Sequence, residues 1–140
     1  MKLKINQKHL RRFRMRALKR APQEYIEALY GSVWRPGSYE IVNVRAFRVV
    51  EQVAGPAHIA YVLADEPSIF NGWKLVGTIH SHPYDSNQTH EPDCAPSETD
   101  WANVQKEHSV VGICVVEPPG TKPRTRVKFF SAKAWVQVVT

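Results

Sequence analysis

Lys74-Leu75-Val76-Gly77-Thr78-Ile79-His80-Ser81-His82-Pro83 is the stretch that decides the reading of this chain. Lys74 to His80 is β-branched and apolar enough to predict a strand. It runs into a polar loop expected over Ser81 to Pro96, with no periodicity of its own. Alternate side chains of a strand share one face, so residues at i and i+2 can aim two imidazoles at one point. Zinc is bound in that way by nitrogen ligands about 2.0–2.1 Å from the ion. A His-x-His pair alone is a weak signal, because such histidines are often surface residues or packed polar groups.

Downstream lies Pro96-Ser97-Glu98-Thr99-Asp100, at the start of a helix expected over Ser97 to Glu107. Ser97 followed three residues later by an acid is a variant of the capping box, which needs no metal. The same placement gives Asp100 a fixed direction on a first helical turn, as a third, hard oxygen ligand. Two His and one carboxylate leave a fourth position for water, the pattern of catalytic rather than structural zinc. A general base would then come from the remaining acids. Glu24 and Glu27 lie three apart on an expected strand over Glu24 to Tyr30, closed by Gly31, and so face opposite sides. Composition leaves open which of them looks into the site.

The rest of the chain supplies the frame. Lys8 to Lys19 predicts a helix with Leu10, Phe13, Ala17 and Leu18 near one face and the cations mostly on the others. Pro22 ends it. Trp34 to Ser38 is a turn, Ile41 to Val50 a strand, His58 to Leu63 a strand or short buried helix, and Pro67 to Gly72 a loop or turn. Ser109 to Val116 is a strongly apolar strand. A turn over Glu117 to Pro123 leads to a returning strand over Thr125 to Phe130, and Ala134 to Val139 is a final edge strand. Helix, strands, helix and strands in 140 residues predict a single α/β or α+β domain around a mixed sheet.

Charge is segregated. Residues 1–20 hold nine Lys or Arg and no acid, leaving ten bases against thirteen acids in the remainder. The basic helix over 8–20 is read first as a solvated face packed on a sheet, second as a docking face for an acidic partner, and third, more weakly, as a nucleic-acid contact through Arg11 to Arg20. No aromatic ladder accompanies its cations, which argues against single-strand nucleic-acid binding. There is no apolar run long enough for a bilayer and no secretory h-region. Two cysteines, Cys94 and Cys114, make no disulfide framework, so a reducing, cytoplasmic setting is expected. Cys114 is expected to be a small buried hydrophobe.

Taken together, Glu24 in Pro22-Gln23-Glu24, then Val76 to Pro83, then Pro96 to Asp100 resemble the JAMM/MPN zinc metalloprotease family in its prokaryotic form. The three elements come in the family's order, and the likeness spans about residues 8 to 130 of the 140. It implies an αβα sandwich around a mixed, curved sheet. It implies that His80, His82 and Asp100 hold one Zn2+ and that Glu24 is the general base. It implies that Ser97 binds the oxyanion. The implied reaction is hydrolysis of an amide after the C-terminal glycine of a ubiquitin-like protein, by deconjugation or precursor processing, with a bacterial conjugation pathway as a natural home. The alternatives are another peptide or small-molecule hydrolase of the family, or a non-catalytic scaffold.

Two departures from the family pattern stand out. The spacer from the second His to the Ser is longer than usual, with 83–96 making fourteen residues, so an insertion at about 84–96 lies beside the site. It carries His90, Glu91, Asp93 and Cys94, read first as an ordinary polar loop and second as part of another metal site. Glu27 stands where relatives often have a small residue, which bears on packing behind the strand.

Overall fold

The computed structural model describes residues 1–50, 66–84, 110–131 and 135–140. In chain order its elements are β1 (Lys2–Lys4), α1 (Gln7–Arg20), β2 (Ile26–Trp34), β3 (Ile41–Val49), β4 (Ile69–Phe70), β5 (Trp73–Pro83), β6 (Val110–Val116), β7 (Thr125–Phe130) and β8 (Gln137–Val139). The strands form one mixed sheet in the order β7-β6-β5-β2-β3-β1-β8, with β4 paired to β5 off that path. β5–β6, β1–β3 and β1–β8 are parallel, and the other pairs are antiparallel. This is the α/β class expected from the sequence, and α1 is the only helix among the described residues.

α1 forms where its pattern predicts. Asn6 caps it by accepting a hydrogen bond from the Lys8 amide at 2.8 Å. Lys19 and Arg20 occupy the last turn, where cations meet the negative end of the helix dipole. The chain leaves the helix at Ala21, just before Pro22, whose ring cannot continue it. Leu10, Phe13 and Ala17 are the buried residues, at the spacing of one helical stripe. They pack on Leu3, Tyr25, Leu29, Val42, Val44, Ile79 and Cys114 of the sheet. Phe13 stacks on Tyr25 at 5.5 Å between centroids. Burying a side chain of that size stabilises the fold by roughly 1.5–3 kcal/mol. The opposite sheet face carries a second cluster, with Ile26, Ala28, Tyr30 and Val50 against Phe70, Trp73 and Leu75.

Several boundaries differ from the sequence expectation, each for a physical reason. Gly31 does not close β2. The strand continues to Trp34 through a register shift at Tyr30/Gly31. A Cβ at Gly31 would lie 1.8 Å from the carbonyl oxygen of Asn43, so the glycine admits the neighbouring backbone at the bulge rather than ending the strand. Ser81 to Pro83 belong to β5 and not to the polar loop, because β6 pairs with that end of the strand as far as Pro83↔Val116. The segment read as a loop before β5 contains β4 and a tight turn at Asn71 and Gly72, both with positive φ (50° and 79°). That is the Asn-Gly signature of a two-residue hairpin. β1 was not expected at all. Three residues are too few for periodicity to show, and two of them are lysines. Leu3 is nevertheless buried between β3 and β8. The final strand is shorter than expected but lies at the sheet edge, paired to β1. The elements expected over His58–Leu63 and Ser97–Glu107, and the insertion from 85 onward, lie outside the described residues.

Candidate active site

β5 is held on both sides where the two histidines lie. His80 stands opposite Ile26 of β2 and beside Ile113 of β6, and His82 is beside Val115. Ile79 belongs to the core under α1. Alternation therefore turns His80 and His82 to the other face of the sheet, away from the helix. Their Nε2 atoms are 3.1 Å apart, with ring centroids at 4.9 Å. Two nitrogen lone pairs at that distance repel unless a proton or a cation lies between them. Two ligands of one tetrahedral zinc would stand about 3.3 Å apart, given Zn–N bonds of about 2.0–2.1 Å. The separation suits either one N–H···N hydrogen bond between the two rings or two nitrogens facing one shared cation. Among the described residues no third His, Cys, Asp or Glu joins the pair. Ser97 and Asp100, together with His58, His90, Glu91, Asp93 and Cys94, lie outside the described residues.

The two acids left open by the sequence are separated by the sheet. Glu27 is 1% exposed and lies on the α1 side, where Arg16 grips it with two bonds, Nε to Oε2 at 2.7 Å and a terminal nitrogen to Oε1 at 2.9 Å. Such a fork is the strong form of a carboxylate pair. The larger residue at this position is accommodated because a helix arginine neutralises it from above. Glu24 precedes β2 and is partly buried. Continuing the register of Ile26↔His80 by two places sets Glu24 across from His82.

Ser81, between the histidines, joins the same two strands. Its amide donates to the Tyr25 carbonyl at 2.8 Å, and its Oγ accepts from the Tyr25 amide at 2.8 Å. Both bonds fix the chain immediately after Glu24. Beyond β5, the Tyr84 amide donates to the Val116 carbonyl at 2.9 Å, so pairing with β6 follows the strand to its end. Burial pushes the Tyr25 phenol up to about 12, and the adjacent Glu27 carboxylate adds to the shift. Cys114 is fully buried in the core, as expected. The roles of Arg16, Tyr25 and Ser81 were not visible in the sequence. Their partners lie between eleven and fifty-six residues away along the chain, and no local spacing marks them.

Residues 6–131 match the family of prokaryotic homologs of the JAB domain. No protein of curated function matches the chain. Among solved structures, a JAB1/MPN domain protein from Archaeoglobus fulgidus is 22% identical, with all of both chains covered and a TM-score of 0.56. A protein from Desulfitobacterium hafniense is 18% identical over 99% of this chain and 93% of its own, with a TM-score of 0.61. A structure described as a metalloprotease-like zinc site in the proteasome and signalosome is 20% identical over 100% of this chain and 98% of its own, with a TM-score of 0.50. At these identities the likeness is one of fold.

Proposed function

Since the chain belongs to the family of prokaryotic homologs of the JAB domain, we propose that it is a zinc-dependent peptidase that hydrolyses the amide after the C-terminal glycine of a ubiquitin-like protein. The observation that carries the proposal is the 3.1 Å approach of the His80 and His82 Nε2 atoms on the sheet face away from α1. The fold relative described as a metalloprotease-like zinc site supports the choice of metal.

In this reading His80, His82 and Asp100 hold the ion. When bound, zinc supplies a Lewis acid that polarises a carbonyl and makes water nucleophilic at neutral pH. Glu24 is the general base. It takes a proton from the attacking water and returns it to the departing amine, and its register position across from His82 supports that role. Ser97 donates a hydrogen bond from its hydroxyl to the carbonyl oxygen as charge develops there. Ser81 keeps the start of β2 against β5, which holds Glu24 at its distance from the histidines. Glu27 takes no part, because it is engaged by Arg16 behind the sheet.

The test joins metal content to cleavage. The untagged chain is purified, zinc is counted per chain, and a ubiquitin-like protein extended beyond its terminal glycine is offered with and without chelator. One zinc per chain and chelator-sensitive cleavage after that glycine are expected. Glu24→Gln should keep the zinc and lose turnover by a factor on the order of 10²–10⁴, while His82→Ala should lose both. Zinc without cleavage would remove the substrate from the proposal. No zinc after reconstitution would remove the enzyme and leave a scaffold domain.

A further inference from the structure

α1 contributes more cations than the fold uses. Arg14 is engaged by Thr125, donating to its Oγ and its carbonyl, both at 3.0 Å. Arg16 is engaged by Glu27, and Arg20 lies over the Tyr25 ring. Lys8, Arg11, Arg12 and Lys19 are exposed, and their side chains form no ion pair or hydrogen bond among the described residues. Lys8, Arg12, Met15 and Lys19 are spaced four, three and four apart, which places them on one stripe of the helix, with Arg11 alongside. The stripe is about 16 Å long at 1.5 Å per residue. Met15, in its middle, is 55% exposed.

We propose that this stripe is a docking surface for an acidic protein whose carboxylates surround a small apolar pocket that takes Met15. Charge complementarity sets the sign of the partner, since α1 contains no acid at all. Met15 sets its class. Methionine and arginine are enriched in protein interfaces, where an apolar anchor is ringed by polar contacts. A nucleic-acid backbone offers phosphates to the cations and nothing to a thioether, and the exposed positions of α1 hold no aromatic ring on which a base could stack. The stripe also lies on the sheet face opposite His80 and His82, because α1 packs on Tyr25 and Ile79 and the histidines point the other way. An occupant of α1 therefore leaves the histidine face open. It recruits or anchors the domain and does not compete for the proposed site.

The test is binding by the full chain to three labelled probes: an acidic peptide of Glu and Leu, poly-glutamate, and duplex DNA. The Glu/Leu peptide should bind tightest. Met15→Ala should weaken it about tenfold. Reversing Lys8, Arg12 and Lys19 to Glu should weaken it by roughly 100-fold or more at low salt. Met15→Ala should melt like the parent, and the charge-reversed variant should stay folded, since Lys8→Glu gains at the helix N-terminus what Lys19→Glu loses at the C-terminus. The readout needs no turnover, so it stands or falls apart from the peptidase reading. Equal binding of poly-glutamate with no effect of Met15→Ala would overturn the apolar pocket. Tighter binding of DNA would overturn the protein partner. Failure of all three probes to bind, or unchanged peptide binding after charge reversal, would overturn the docking surface.

Discussion

Truncating Arg16 should destabilise this domain more than changing the acid it binds. In Arg16→Ala the Glu27 carboxylate, 1% exposed, loses both donors and remains under α1. Removing one partner of a fully buried pair costs about 3–5 kcal/mol. Arg16 itself is 38% exposed, so water reaches the outer side of the pair and the expected loss falls to about 2–3 kcal/mol. For a domain of this size that is a fall in melting temperature of roughly 6–10 °C. Glu27→Gln is milder, at about 1–2 kcal/mol, because the freed guanidinium can turn to solvent and the amide keeps an acceptor. The double change Arg16→Met with Glu27→Leu replaces the pair with apolar volume, and should be less damaging than Arg16→Ala alone. Urea unfolding monitored by tryptophan fluorescence ranks the three variants. If Arg16→Ala lost less stability than Glu27→Gln, or the double variant lost the sum of both, the reasoning from asymmetric burial would be wrong. The same proteins bear on the site. Glu27→Gln should keep zinc and cleavage per folded molecule, and loss of cleavage there with Glu24→Gln active would reverse the facing of β2.

Two further outcomes follow from the packing around β5 and β2. Gly77→Ala places a Cβ 2.0 Å from the Val110 carbonyl oxygen, so β5 and β6 must part where their pairing begins. A loss of about 2–3 kcal/mol in chemical denaturation is expected, and an unchanged midpoint would deny the close approach. Tyr25 gives an alkaline signature. Its folded pKa is raised to about 12 from 10, chiefly by burial, so its contribution is complete below pH 10 and is lost as pH rises toward 12. Relative to Tyr25→Phe, the parent should lose up to about 1.4 kcal/mol per pH unit across that window. Parallel stability curves for the two proteins from pH 10 to 12 would show that the phenol is not shielded.

What the sequence made legible was whatever has a short period or a fixed spacing. The stripe of Leu10, Phe13 and Ala17 announces α1 and its buried side. The apolar run ending at Val116 announces β6, and the strand returning from the turn after Glu117 is β7, in antiparallel register. The two histidines at i and i+2 announce a shared face, and they do meet. Less legible was anything decided by a distant neighbour. Gly31 reads as a stop because glycine usually punctuates strands, yet its role is set by the Asn43 carbonyl across a bulge. Pro83 reads as loop because proline cannot donate to a ladder, yet β6 carries the strand to that residue. Glu24 and Glu27 are separated by the register of β2 on β5 and by a helix arginine eleven residues back, and no local spacing shows either.

The strand that carries the histidines gives the proposed site a rigid support. His80 belongs to a central strand, paired to β2 at Ile26 and to β6 at Ile113, so its backbone cannot shift without breaking ladder bonds on both sides. Ser81 adds a side-chain bond to Tyr25 from between the two imidazoles. Tyr25 is in turn stacked on Phe13 of α1. The helix therefore braces the proposed site through the sheet: α1 packs on Tyr25, Tyr25 is bonded to Ser81 of β5, and Glu24 lies immediately before Tyr25. Residues that set the geometry of one face are buried on the other. Substitutions that loosen Phe13 or Tyr25 are expected to reach the proposed site only through these contacts, whereas the proposed docking stripe lies on the outer surface of the same helix, away from them.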